Sequence, residues 1–201
     1  MAVTSAYVDD VLLVDRCKTG EVAATRELFR RHRHRVHASL YRILGSNRDM
    51  EDIMQEAFLQ VFKSLGSWRA DASLATWIDR IAVRVAYRAI ENRRRVPTPI
   101  GGSADDEQLG SLPSPSTSLS ASGLDARAAV VRLYAALDAL PAGPRVAFAL
   151  FALDGRSIAE VAQITGATVT ATKLRVWRAR RALEATARRD PALAAYLPEA
   201  A

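Results

Sequence analysis

Between residues 169 and 183 the chain reads VTATKLRVWRARRAL, and its apolar positions recur at helical spacing. Thr172, Val176, Ala179 and Leu183 follow a 4-3-4 rhythm and share one stripe of a helix. Thr170, Lys173, Leu174, Trp177, Arg178 and Arg181 fall on the flank or the opposite face. The pattern predicts a helix that buries a narrow seam and offers a cationic face. The preceding SIAEVAQITGA predicts a shorter helix, with Ser157 as its cap and Glu160 completing a capping box. Ile158, Val161, Ala162 and Ile164 give it an apolar side, and Gly166 ends it. A helix, a tight glycine turn and a basic second helix form a helix-turn-helix pattern. The second helix of such a unit fits the major groove, where Arg and Lys meet phosphates and guanine edges.

The same helical rhythm runs through the N-terminal half. DMEDIMQEAFLQVFKSL opens with acids, which suit a helix N-terminus, and places Ile53, Ala57, Phe58, Val61, Phe62 and Leu65 on one stripe. Asp52, Gln55, Glu56, Leu59 and Gln60 lie largely off that stripe, as an acidic and amide face suited to a protein contact. A solvated face has the same composition. From about Asp71 or Ser73 a further helix carries Trp77, Ile78, Ile81, Val85 and Ile90 as its apolar positions. Arg80, Arg84 and Arg88 recur every fourth residue along it, and Arg93, Arg94 and Arg95 extend the charge. Such a ridge can track a phosphate backbone. The loop before it holds Trp68 and small polar groups that could seat an unstacked base, although both Trp68 and Trp77 could equally be core.

Strand-like alternation is absent. The periodicity predicts an all-α chain of two small helical domains, at 1–95 with about four helices and at 125–189 with three or four. Residues 96–124 are rich in Pro, Gly and Ser and carry no apolar rhythm, so they read as a flexible linker. Residues 190–201 read as a tail.

Composition narrows the chemistry. The 201 residues carry 28 Lys+Arg against 22 Asp+Glu, a net charge of +6 that favours polyanionic partners. Cys17 is the single cysteine, so no internal disulfide and no cysteine-based metal knuckle can form. The N-terminal apolar run VLLV is too short and too acidic in its flanks for a signal peptide. No apolar run approaches the roughly 20 residues that span a bilayer. These features point to a cytoplasmic protein without membrane insertion. No phosphate-binding loop, dinucleotide fingerprint or nucleophile elbow is present, so no enzymatic activity and no cofactor are expected. His32, His34 and His37 cluster among Arg26, Arg30, Arg31, Arg33, Arg35 and Arg42, which would repel a cation, so no metal site is expected.

Taken in order, LFRRHRHRV, DMEDIMQEAFLQVF, TWIDRIA with its basic run, LDALPAGPRVAFALF and DGRSIAEVAQITGATVTATKLRVWRARRAL resemble an extracytoplasmic-function (ECF) sigma factor of the bacterial sigma-70 family. The resemblance implies a sigma-2 and a sigma-4 domain with no sigma-3 domain between them. It implies a promoter-specificity subunit that binds core RNA polymerase, recognises the −35 and −10 elements and promotes opening. Asp52, Gln55 and Glu56, flanked by Leu59 and Gln60, match the part that docks on the β′ clamp helices. Trp68, Asp71, Ser73 and Thr76 match the loop that captures a flipped −10 base. Trp77, Arg80, Arg84 and Arg88 match the −10 duplex contact. Lys173, Arg175 and Arg178 match the −35 recognition helix, and Thr170, Thr172, Leu174 and Arg181 on the same helix are expected to contact the −35 element with them. The β flap and an anti-sigma factor are the further implied partners, and an obligate homo-oligomer is not implied. The linker would thread toward the RNA exit path. This chain departs from the family pattern at Val83, Arg84, Arg88 and Glu91, and at Thr170, Ala171, Thr172 and Leu174 in the recognition helix.

Two other classes fit parts of the pattern. A self-sufficient helix-turn-helix regulator would bind duplex DNA alone, usually as a dimer on a palindrome. A basic interaction protein would use the same faces on an acidic partner. Leu174 and Trp177 are open in the same way: they can touch thymine methyls, pack on the preceding helix or meet a partner protein.

Overall fold

The computed structural model describes residues 2–95, 121–190 and 193, with side chains described from residue 7 and, in the second half, from residue 126. Among these residues all regular structure is helical. The N-terminal half holds α1 (Ala2–Lys18), α2 (Val22–Leu44), α3 (Met50–Ser64) and α4 (Leu74–Arg95). The C-terminal half holds α5 (Ala121–Asp138), α6 (Ala142–Phe148), α7 (Ile158–Thr165) and α8 (Val169–Ala187). The expected linker falls outside the described residues as far as 120. From Ala121 the chain is already helical, so the expected boundary at 125 lies within α5. Extending a formed helix by a turn costs little, even through Ser122 and Gly123, and composition does not mark where that turn begins. Leu193 of the expected tail is buried in a small cluster with Ala129 and Ala187.

The apolar stripes sit where the spacing puts them. Ile53, Ala57, Phe58, Val61 and Leu65 are buried, as are Ile78, Ile81, Val85 and Ile90 on α4. Trp77 packs half-buried against the same core. Fully burying a Leu or Ile contributes about 1.5–3 kcal/mol, and Leu28, Leu40, Ile43, Leu74 and Ile78 are all inaccessible to solvent. The helix-turn-helix also forms as its residues dictate. Ser157 Oγ accepts from Glu160 N–H at 3.2 Å while Ser157 N–H donates to the Glu160 carboxylate at 2.9 Å. Gly166 closes α7 in the left-handed conformation, φ 66°. Thr168 then caps α8, accepting from Ala171 N–H at 3.1 Å.

What periodicity does not convey is how the halves meet. α4 lies against α2 and α3 on one side and against α6 and α7 on the other. The two halves share one apolar core, in which Ile78, Val83 and Val85 join Val146, Leu150, Val161 and Ile164. A polar seam borders it. The buried Arg145 guanidinium of α6 donates to the carbonyls of Ile43 (2.8 Å) and Leu44 (2.9 Å) at the end of α2, and pairs with Asp138. After α6 the helix continues through a π turn, Ala149–Leu153, in which Asp154 N–H reaches Ala149 O at 2.9 Å. That turn delivers Asp154 to Ser39 (3.0 Å) and Arg42 (2.7 Å) of α2.

Gly45 stops α2 with φ 73°, and its N–H donates to Tyr41 O at 2.7 Å. A Cβ there would also lie 2.7 Å from Cγ of Tyr134 on α5. Gly45→Ala therefore combines left-handed strain of about 1–2 kcal/mol with displacement of a half-buried ring, and its melting temperature should fall well below wild type. Gly20 has φ 82° and open space around it, so Gly20→Ala should show only the strain. Equal losses in thermal unfolding at both positions would remove the Tyr134 contact from the account.

Candidate functional site

Three surfaces gather the chemistry-bearing residues. The first is on α3. Asp52, Gln55 and Leu59 line a groove of about 490 Å³ together with Glu51, Met54, Phe58, Phe62 and, from α2, Phe29. Phe29 meets Phe58 edge to face at 4.7 Å, which holds the groove floor. Leu59 is 49 % exposed at its rim. Glu56 sits outside the groove and pairs with Arg88 of α4 at 3.1 Å, and Gln60 is half-buried. Phe29 was missed by the sequence reading because the contact crosses from α2 to α3. Its neighbours in the sequence, Leu28 and Arg30, give no signal of that contact.

The second surface is the loop before α4 and that helix's basic edge. Trp68 is buried, and its indole N–H donates to Ala72 O at 3.1 Å, so the ring braces the loop from inside. A base stacked directly on Trp68 does not fit this placement, because the core has taken the ring. Asp71 and Ser73 are exposed, and Ser73 Oγ caps α4 by accepting from Thr76 N–H at 3.2 Å. Thr76 and Trp77 are half-buried beside them. The cationic ridge is divided. Arg80 donates to Gln163 O of α7 at 3.0 Å, Arg84 is exposed, and Arg88 holds Glu56.

The third surface is the outer side of α8. Thr170, Lys173, Leu174, Arg178 and Arg181 are exposed. Thr172 is not: it is fully buried and donates its hydroxyl to Thr168 O at 2.9 Å, so it shapes the helix and cannot touch DNA. The expectation that Thr172 reads a base is corrected by the same 4-3-4 seam that places it inside. Arg175 is half-buried and turns toward Gly143 of α6, its Nε 3.7 Å from where a Cβ there would stand. Its charge also acts on Tyr87 of α4. Trp177 is 54 % exposed, with the Arg181 guanidinium 5.3 Å above its ring. Leu174 and Trp177 therefore do not pack on the preceding helix. Thr170, Leu174, Trp177 and Arg181 form the outermost stripe of α8, with cations on both flanks, a layout that suits apolar and polar contact within a groove and charge toward its phosphate walls. Behind α8, Leu133, Phe148, Phe151 and Leu183 line an apolar groove of about 580 Å³ between α5, α6 and α8.

The histidines do not converge. His34 is exposed and His37 stacks beside Tyr41 at 6.5 Å. His32 is buried with Nε2 unpartnered, and burial, with Arg35 and Arg31 nearby, pushes its pKa from 6.5 down to about 4. Its folded pKa lies below its unfolded one, so stability is constant above about pH 6.5 and declines as pH falls toward 4. At about 1.4 kcal/mol per pKa unit, roughly 2 kcal/mol is lost between pH 7 and pH 5. His32→Leu should remove that component, so the gap between the two proteins' urea unfolding free energies should change by that amount between the two pH values. A constant gap would show that His32 does not titrate in this way.

Comparison with known proteins is consistent at every level. The family model "Sigma-70 region 2" matches residues 28–96 and "Sigma-70, region 4" matches residues 131–183. The ECF RNA polymerase sigma-E factor of Escherichia coli (strain K12) is 30% identical over 184 residues, covering 90% of this chain and 95% of that protein. The RNA polymerase sigma-H factor of Pseudomonas aeruginosa is 27% identical over 182 residues, covering 87% and 92%. Among solved structures, CnrH in complex with the cytosolic domain of CnrY matches with TM-score 0.61 and 23% identity over 90% of this chain and 98% of that one. RpoE of Bartonella quintana, solved with the anti-sigma factor NepR, matches with TM-score 0.53 and 20% identity over 82% and 97%. The chain belongs to the ECF sigma factors of the sigma-70 family. It is a promoter-specificity subunit of bacterial RNA polymerase and not an enzyme. Among the described residues no helix is long and apolar enough to cross a membrane.

Proposed function

We propose that the three surfaces divide the work of this sigma factor as follows. The α3 groove, with Asp52, Gln55 and Leu59 on its rim and Phe29 and Phe58 in its floor, receives the β′ clamp helices. Glu56 joins it once Arg88 turns to DNA. The loop carrying Asp71, Ser73 and Thr76, braced by Trp68, captures an unstacked −10 base, and Trp77, Arg80, Arg84 and Arg88 hold the adjoining duplex. α8 reads the −35 element through Thr170, Lys173, Leu174, Arg178 and Arg181, joined by Trp177. Arg175 reaches phosphate only after it leaves α6 and Tyr87. The apolar groove behind α8 takes the β flap. An anti-sigma factor covers the polymerase-docking surfaces in the uninduced state, and the protein works in the cytoplasm.

The single observation that carries this reading is an exposed acidic and apolar groove between α2 and α3 of a chain whose other two surfaces are basic. An independent regulator has no use for that groove. The test is size exclusion of the full chain with core polymerase lacking any sigma, followed by transcription from a promoter selected with the resulting holoenzyme. One-to-one co-elution, with transcript output lost in Arg178→Glu while co-elution persists, is the expected result. Transcript output that survives Arg178→Glu would remove α8 from DNA reading.

A further inference from the structure

Helix α1 precedes the stretch that matches "Sigma-70 region 2" and belongs to none of the three surfaces. Its inner face is set by Asp10, Leu13, Val14 and Cys17, four residues at helical spacing. Leu13 and Val14 are buried, and Cys17 packs half-buried against the same core. Asp10 is the odd member of that stripe. A carboxylate stands where a further apolar side chain would bury surface. It is half-buried, and burial pushes its pKa up. A charge in such a place persists where something compensates it. Arg31 of α2 acts on it, but that guanidinium is already bonded to Glu27 at 2.6 Å. The second compensating group is the backbone N–H of Leu74, the first residue of α4, which the Asp10 carboxylate faces.

That contact places α1 at both ends of the loop 68–73. The helix lies against the short turn Leu65–Ser67 before the loop, and Asp10 meets Leu74 just after it. The first N–H groups of a helix have no partner within it, and that end carries partial positive charge. At α4, Ser73 Oγ serves the Thr76 N–H at 3.2 Å, and Asp10 supplies a full negative charge at Leu74. From α2, Arg35 donates to Ala75 O at 2.8 Å. Inside the loop, Trp68 donates to Ala72 O at 3.1 Å. Between these ties Ala70 holds φ 62°, a left-handed conformation that a residue with a Cβ keeps only where its surroundings enforce it.

We propose that Asp10 is a positioning residue for promoter opening: from α1 it fixes the first turn of α4, and with it the shape of the loop that takes the unstacked base. Asp10 acts through Leu74 and Ser73 and makes no DNA contact of its own. A loop held in one shape before the base arrives avoids the ordering cost at the moment of binding. The proposal rests on the assignment of the loop 68–73 to base capture.

The test measures binding of the full chain, in complex with core polymerase, to fork-junction DNA from a promoter selected with that holoenzyme. The unpaired strand carries an abasic site at each −10 position in turn. The wild-type complex should lose at least about tenfold in affinity at one position, where the captured base is gone. Asp10→Ala should shrink that ratio by about fivefold, by weakening binding to the intact fork alone, with co-elution on core polymerase unchanged. Asp10→Asn, which keeps an acceptor without the charge, should shrink it less. Asp9→Ala, at the exposed neighbour, should leave it as in the wild type. Combining the variant with the abasic site separates positioning from a general loss of stability. Equal losses on intact and abasic forks, or an unchanged ratio, overturn the role of Asp10. A wild-type complex indifferent to every abasic site removes base capture from the loop, and the proposal with it.

Discussion

Asp52→Lys with Glu56→Lys weakens binding to core polymerase by at least about a hundredfold, so that co-elution on size exclusion is lost. Both side chains are exposed, and neither contributes to the core. The pair of changes moves the charge by four units, Asp52 in the groove and Glu56 beside it, where the other lining is Phe29, Glu51, Met54, Gln55, Phe58, Leu59 and Phe62. A hundredfold is about 2.8 kcal/mol at about 1.4 kcal/mol per decade. Like charges brought together at an interface cost several kcal/mol. Folding should hardly change, because surface substitutions usually stay within about 0.5 kcal/mol. The exposed Arg88–Glu56 pair is lost with them, and exposed pairs contribute at most about 1 kcal/mol. Affinity that survives, in a variant with wild-type thermal unfolding, would mean that polymerase docks elsewhere.

Arg145→Met gives the largest expected loss of stability outside the apolar core, about 3 kcal/mol. The guanidinium is almost wholly enclosed and serves two carbonyls at the C-terminus of α2, groups with no partner within their own helix. Each buried acceptor left unmade costs about 1–3 kcal/mol. Methionine keeps the packing of the stem, so the change isolates the hydrogen bonds. The third partner, Asp138, is 63 % exposed, and Asp138→Ala should cost at most about 1 kcal/mol. Urea unfolding of the two variants separates the contributions. Equal losses would show that the carbonyls of Ile43 and Leu44 are adequately served by water.

The features legible in the sequence are the local ones. The Thr172, Val176, Ala179 and Leu183 seam, the Ser157–Glu160 box and the Gly166 stop each depend on residues within a few positions of one another, and helical geometry alone decides them. The apolar stripes of α3 and α4 follow for the same reason. Trp68, Phe29 and Arg175 were less legible because tertiary packing decides where they go. Trp68 finds Ala72 O and the core, Phe29 meets a ring on another helix, and Arg175 reaches α6. The spacing of Arg80, Arg84 and Arg88 was correct as a stripe, but not as a single free ridge. Partners at Gln163 and Glu56 come from distant parts of the chain. The seam was invisible altogether, since Arg145, Asp154 and Arg156 look like ordinary surface charges until α2 and α4 are set beside them.

The π turn at Ala149–Leu153 gives the chain a phase adjuster. A π turn carries one residue more than the α-helix it interrupts, and each residue of helix advances the following side chains by about 100°. Removing one residue from this stretch would restore α-helical winding and swing Asp154 and Arg156 about a quarter turn away from Ser39, Arg42 and Asp79. The exposed stripe of α8 and the groove on α3 would keep every residue. Length at this point is thus a hereditary dial: a single codon gained or lost sets how firmly the halves hold each other, with the exposed residues of α3 and α8 unchanged.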